Sequence, residues 1–263
     1  MKTLNRSVGR VDIGGEPLPS VFSTFEKNKI IFRRAEVSMV AGAPGVGKST
    51  LALSIALRTK VPTLYISADT NAHTMAMRLL SMITGKSQED SEMLLDINPA
   101  WCAEQLSQHA SHIFWSFDSA PSLTDIDDEV SAVEELLGSS PHLIVVDNLI
   151  DVAMDGAEEW SGLRSAIKEL KYLARDTNAS LLLLHHTSEA VNGDPCPPRS
   201  ALQGKVAQLP ALICTVAQDA RGFLAVAPVK NRYGKADASG ATAHWLQFNP
   251  EFMFIADVPE RTI

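Results

Sequence analysis

The stretch Gly42-Ala43-Pro44-Gly45-Val46-Gly47-Lys48-Ser49 constrains this chain more than any other. It satisfies the spacing G-x-x-x-x-G-K-[ST] at every fixed position. Upstream, Val37-Ser38-Met39-Val40-Ala41 reads as a buried strand; downstream, Thr50 to Leu57 reads as a helix. A loop that leaves a strand and opens a helix aims backbone N–H groups and the positive helix end at one point. A polyphosphate is the natural occupant of that point. Glycines let the backbone approach it, Lys48 reaches the β- and γ-phosphates, and the Ser49 hydroxyl can hold Mg²⁺. Gly42, Ala43, Pro44, Gly45, Val46, Gly47, Lys48, Ser49 and Thr50 are therefore the expected contacts of ATP. A Gly-rich turn that merely ends in Lys-Ser would not need both flanks.

The rest of the chain fits such a motif. At 263 residues and 45% hydrophobic content it suits one large α/β domain. The expected division is a polar arm over residues 1–20, with Gly14, Gly15, Pro17 and Pro19, and a core over 21–263. No apolar run reaches membrane-spanning length, and no signal-peptide core opens the sequence. Cys102, Cys196 and Cys214 are isolated from one another, which suits a reducing cytoplasm. The net charge of −8 counts against a generally basic nucleic-acid binder. It leaves room for a ring or filament whose inner surface alone is basic.

Strands and helices alternate. Strands are expected at 37–41, 63–67, 111–115, 143–147 and 181–184, with helices over 72–83, about 87–108, 125–137 and around Leu163, Ile167, Leu170 and Leu173. Ser122 or Thr124 would cap the acidic helix. This alternation predicts a mostly parallel sheet flanked by helices. Residues 212–216, 223–227 and 245–255 follow as strands in direct succession, which predicts an antiparallel edge. Residues 190–200 form a loop rich in Pro, Gly and Asp.

Several strand ends carry chemistry. Asp147 follows four apolar residues, and carboxyl ends of strands are where open α/β sheets bind ligands. A carboxylate there can hold the Mg²⁺ shell beside Ser49. Asp69 ends the 63–67 strand, where a carboxylate could orient or deprotonate an attacking water; the competing reading is an N-cap for the helix near Ala72. Glu36 and Glu189 are the substitutes if Asp69 is only a cap. His185 and His186 close another strand. A shared metal is disfavoured, because adjacent strand residues point to opposite faces. His186 is the preferred γ-phosphate sensor, and the competing reading is a satisfied pair of strand-end histidines. Lys230-Asn231-Arg232 closes a late strand with two cations facing one way, able to clamp a phosphate or simply to form a basic turn.

Together these pieces resemble the RecA-like cores of the DnaB-type hexameric helicases, including RepA-like plasmid helicases and phage- and plasmid-encoded recombination ATPases built from a lone core. The resemblance spans roughly residues 35–255. Tyr65-Ile66-Ser67-Ala68-Asp69, followed by Met77-Arg78-Leu79-Leu80, is similar to the family's second motif, where the catalytic base is normally Glu. Leu143 to Asn148 is similar to its metal-coordinating strand, and Leu184 to Ser188 to its sensor strand. Gly204 to Gln208 sits where the family has a DNA-facing loop and a following helix, which implies Arg199 and Lys205 as DNA contacts. Lys230 and Arg232 match the K-x-R pair that reaches a neighbour's γ-phosphate, with Arg232 as the finger.

The resemblance implies a Mg²⁺-dependent ATPase that forms a homo-oligomer, a hexameric ring or a filament, on single-stranded DNA. Lys48, Asp69, Asp147, His186, Lys230 and Arg232 would carry the chemistry, and Ser49 and Asp147 the metal. Asp69 is one methylene shorter than the family's Glu. Two other classes fit the sequence. One is a DNA-processing nuclease or an annealing protein on the same core, the nuclease drawing on acidic residues such as Asp125, Asp127, Asp128 and Glu129. The other is a nucleotide-switched assembly protein without DNA.

Overall fold

A computed structural model describes residues 15–152, 159–188, 195–219 and 221–259. Most of the arm expected over 1–20, residues 190–194 of the expected loop, and Glu189 lie outside the described residues.

The apolar runs assemble into a nine-stranded sheet of order β3-β2-β4-β5-β1-β6-β7-β8-β9. Its strands are β1 (Val37–Gly42), β2 (Thr63–Ser67), β3 (Ile113–Ser116), β4 (Leu143–Asp147), β5 (Ser180–His186), β6 (Leu212–Gln218), β7 (Phe223–Asn231), β8 (His244–Asn249) and β9 (Phe254–Asp257). From β3 to β6 every pairing is parallel; β7, β8 and β9 join antiparallel. The continuous apolar runs follow from this: a central parallel strand is covered on both faces, so both sets of side chains must be apolar.

Side-chain alternation divides those strands between two cores. Val40, Tyr65, Val145, Leu182 and Leu184 face α2 (Lys48–Thr59), whose Leu51, Leu53 and Ile55 lie in the same cluster. Met39, Ile66, Ile144, Leu181 and Leu183 face the opposite way. There Ile126, Val130 and Val133 of α6 (Leu123–Leu137) and Leu163, Ile167 and Leu170 of α7 (Glu159–Asp176) complete the second cluster. Each such fully buried aliphatic side chain contributes about 1.5–3 kcal/mol by leaving water. A short α1 (Ser23–Lys27) packs Phe25 into the first core.

Local chemistry sets the element ends. Ser122, not Thr124, caps α6: its side chain accepts from the Asp125 amide, and Asp125 returns a bond to the Ser122 amide. The expected helix over 87–108 is two helices, α4 (Gln88–Ile97) and α5 (Pro99–Ala110). Pro99 lacks the N–H an interior helical position needs, so it begins a new helix with Asn98 as its cap. α3 (Ala72–Thr84) ends on Gly85 in the left-handed region. After β5 the chain passes through 3₁₀ turns at Arg199–Ala201 and Gln203–Lys205; no α-helix follows Gly204 in the described residues, against the sequence expectation. Residues 15–18 pair with 32–34: the Gly15 amide donates to Arg34 and the Leu18 amide to Phe32.

Candidate nucleotide site

The parallel register brings four strand ends to one edge. Gly42 pairs with His186, and Ser67 with Asp147. The phosphate loop, Asp69, Asp147 and His186 therefore meet although they are far apart in sequence. Asp147 and His186 sit in the same alternation as Val145 and Leu184, so both point to the α2 side. His185 points the other way, where its Nε2 lies 3.0 Å from the Gln203 carbonyl.

The loop needs its glycines. Gly47 caps α2 with φ of 98°, and a Cβ there would lie 2.8 Å from the Phe248 ring. A Cβ on Gly42 would lie 2.6 Å from the Val216 carbonyl oxygen. The loop thus runs wedged between β6 and the β8–β9 hairpin.

Lys48 is buried and its Nζ donates to the Gly42 and Ala43 carbonyls at 3.0 and 2.9 Å. Burial pushes its pKa down, while Asp147 and Asp69 hold it up. An ammonium has three donors, so one remains for a ligand oxygen after these two bonds. Asp147 is 1% exposed. Tyr65 donates its hydroxyl to Asp147 Oδ2 at 2.9 Å, and the Ser49 hydroxyl lies against the same carboxylate. Burial raises the Asp147 pKa to about 6 against the pull of Ser49, Tyr65 and Lys48.

Mg²⁺ fits these residues. Asp147 Oδ1 is buried without a hydrogen-bond partner, beside a serine hydroxyl and a lysine. Hard oxygen donors in small number are how Mg²⁺ is held beside phosphates, with water and phosphate completing its shell. Ser49 and Asp147 would hold it, and when bound it would neutralise charge developing on the phosphates. Among the described residues no three His, Cys, Asp or Glu gather into a protein-only metal cage.

Asp69 is not the cap of α3. Asn71 is, accepting from the Thr74 amide at 2.9 Å. Asp69 instead accepts from Asn148 at 3.3 Å and from Thr70 at 2.9 Å, and lines the cleft in front of the loop. Glu36 is no substitute base. It precedes β1 at the opposite edge, where it accepts from Arg232 at 3.3 Å and from the Tyr233 hydroxyl at 2.7 Å. Burial pushes the His186 imidazole down, as it does His185, and nearby Lys48 pushes both the same way.

The cleft holds about 280 Å³ and is lined by Gly45, Gly47, Lys48, Ser49, Thr50 and Asp69. Arg78 of α3 and Phe248, Pro250 and Met253 of the last hairpin also line it, with Thr70 and Gln88. In the sequence Arg78 figures only inside Met77-Arg78-Leu79-Leu80, as part of the resemblance to the second motif and without a role of its own; Phe248, Pro250 and Met253 carry no signal there.

The expected trans pair lies elsewhere. Leu212 pairs with Asn231, and the Arg232 amide donates to Ala211, whose own amide bonds to Val37. Lys230 and Arg232 thus sit at the amino ends of the parallel strands, about 20 Å from the loop by the length of β1. Lys230 donates to the Ala207 and Gln208 carbonyls at 2.9 and 2.8 Å. It also lines a groove of about 950 Å³ with Arg199 and Lys205.

Asp147 has a consequence for stability. Its folded pKa of about 6 exceeds the ordinary 3.8. The folded state therefore holds this proton more tightly, and that advantage, full below the ordinary value, is lost as pH rises through about 6. Two pKa units correspond to at most about 3 kcal/mol. Asp147→Asn should raise the melting temperature of the ligand-free protein at neutral pH and flatten its fall above about pH 4. A lower melting temperature would show that Lys48's need for a counter-charge outweighs the buried carboxylate.

Comparison with known proteins agrees with this geometry. The AAA domain family model matches residues 27–191. The Gene 65 protein of Mycobacterium phage L5 is 35% identical over 251 residues, covering 92% of this chain and 94% of the phage protein. Two solved structures superpose with a TM-score of 0.80 at 15% identity over 97% of this chain. One is an ATPase domain, 96% of which is covered; the other is a DnaB-like replicative helicase described with its primase interactions, 65% of which is covered. No helix among the described residues is long and apolar enough to cross a membrane. The chain belongs to the AAA domain family, and its fold is the RecA-like P-loop ATPase core shared with DnaB-like helicases.

Proposed function

We propose that the protein is a Mg²⁺-dependent ATPase that assembles head to tail and moves or remodels single-stranded DNA. The observation that carries this is strand β5. Its His186 faces the phosphate loop, while its His185 contacts Gln203 and its continuation bonds the Arg199–Lys205 segment, with the Ser188 amide donating to Ala201 at 2.9 Å. A change at the γ-phosphate is thereby mechanically linked to the segment carrying Arg199 and Lys205. In this reading Lys48 binds phosphate, Asp69 orients water, Ser49 and Asp147 hold the cation, and His186 reports hydrolysis. The amino-edge position of Lys230 and Arg232 supports a role in trans: they are too far to serve their own subunit, and a head-to-tail neighbour would bring them to a phosphate loop. A core over 21–263 with a lead-in over 1–20 belongs to the same proposal, as does a cytoplasmic setting.

The test is single-strand binding by salt titration with ATP and Mg²⁺ present. Each phosphate contact on a single strand contributes roughly 0.7 to the salt slope. Arg199→Ala with Lys205→Ala should weaken binding and flatten the slope by about 1.4. No binding by the wild-type chain at low salt would favour the nucleotide-switched assembly protein. Nuclease controls in the same assay test the remaining reading, for which the α6 acids offer little: Asp125 spends its carboxylate on Ser122.

A further inference from the structure

Tyr65 has no part in the functions assigned so far, yet it touches the site. It is wholly buried in the middle of β2, where it pairs with Val145, while Ser67 pairs with Asp147. Two residues apart on adjacent strands, Tyr65 and Asp147 project from the same face of the sheet. The phenolic oxygen meets Asp147 Oδ2 at 2.9 Å. On the far side the ring lies against Trp115, centroids 5.0 Å apart, and Trp115 stacks on Phe117 at 5.8 Å.

Packing alone does not call for the hydroxyl. A phenyl ring would fill the same place against Trp115, whereas a buried O–H must find an acceptor. Its acceptor here is one oxygen of Asp147, the carboxylate that would hold the cation. Pinning Oδ2 removes the free rotation of that group and leaves Oδ1, buried and without a hydrogen-bond partner, as the oxygen presented to the site. We propose that Tyr65 is a positioning residue: its hydroxyl sets the orientation of Asp147, and so the affinity of the phosphate-loop site for Mg²⁺, without touching nucleotide. This rests on the reading of Asp147 as the cation-side carboxylate.

The experiment titrates Mg²⁺ against protein bearing a fluorescent, non-hydrolysable ATP analogue and reads binding rather than turnover. Groups that hold a metal-side carboxylate in place typically contribute roughly 10–100-fold in metal affinity. Tyr65→Phe should weaken apparent Mg²⁺ affinity by about tenfold or more. It should leave analogue binding in EDTA at the wild-type level, which a general packing defect would not do. In an Asp147→Asn background, the same substitution should add little, because the partner is already altered. If Asp147→Asn shifts the Mg²⁺ curve and Tyr65→Phe does not, the positioning role is overturned and the reading of Asp147 stands. If neither shifts it, both fall.

Should Tyr65→Phe fail to fold, the wild-type chain still decides the matter. Of its three tyrosines, Tyr172 and Tyr233 are 57% and 46% exposed. Resonance Raman should then show one buried tyrosine as a strong hydrogen-bond donor whose signal moves when Mg²⁺ joins the bound analogue. An unmoved signal overturns the proposal.

Discussion

Arg232→Ala should lose most ATP turnover, on the order of 10³–10⁵, while still binding ATP and still assembling. That is the range an arginine finger contributes in phosphoryl transfer. In the lone chain Arg232 is held by Glu36 at the edge away from the phosphate loop. Only a second copy could bring it to a γ-phosphate. Specific activity of the wild type should accordingly rise with protein concentration. Mixing is the sharper measurement. Arg232→Ala and Lys48→Ala subunits should each be nearly inactive alone, the second because in the proposed reading Lys48 would supply the charge at the β- and γ-phosphates. In mixed assemblies some interfaces pair an intact loop with an intact finger, and activity should return. If subunits exchange and no activity appears, or if Arg232→Ala alone remains active, Lys230-Asn231-Arg232 is a basic turn and nothing more.

The second large effect separates the two acids. Asp69→Asn should leave ATP binding near the wild-type level and reduce turnover by about 10²–10⁴, the contribution of a general base that acts in the transition state. Asp147→Asn should instead weaken Mg²⁺-dependent ATP binding. Equilibrium binding of ATP, read beside single-turnover hydrolysis, distinguishes the two. Normal hydrolysis by Asp69→Asn would remove it from the chemistry. Because Asn71 is the cap of α3, a loss at Asp69 could not be put down to an uncapped helix.

The sequence made the phosphate loop legible because the device is local. Eight consecutive residues carry the turn, the donors and the cation, and their spacing is the chemistry. Asp69, Asp147 and His186 were legible for a related reason: each closes an apolar strand run, and parallel register gathers strand ends at one edge. Alternation says that His185 and His186 point to opposite faces, but it takes the packing of β5 to show that His186 is the one on the phosphate-loop side. What the sequence withheld is whatever depends on a partner from another strand. Tyr65 looks like any core aromatic until the β2–β4 register sets it diagonal to Asp147. Whether Asp69 or Asn71 caps α3 turned on a single amide bond. The break at Pro99 was visible as a residue but masked by the helical pattern on both sides of it.

The last hairpin gives the site a position in time as well as in space. Phe248 sits where a side chain on Gly47 would be, and Met253 Sδ lies 3.7 Å from the Thr50 hydroxyl across 203 residues of chain. The wall beside the phosphate loop is thus translated long after the loop itself. A nascent chain that has emerged only as far as Gly240 has its Lys48 and Asp69 but not Phe248, Pro250 and Met253, which line the same cleft. Domains are made amino end first, at about 5–20 residues per second. Nucleotide capture should therefore wait until β8 and β9 have been made. An arrested chain ending before β8 should refuse the ATP analogue that the released protein accepts.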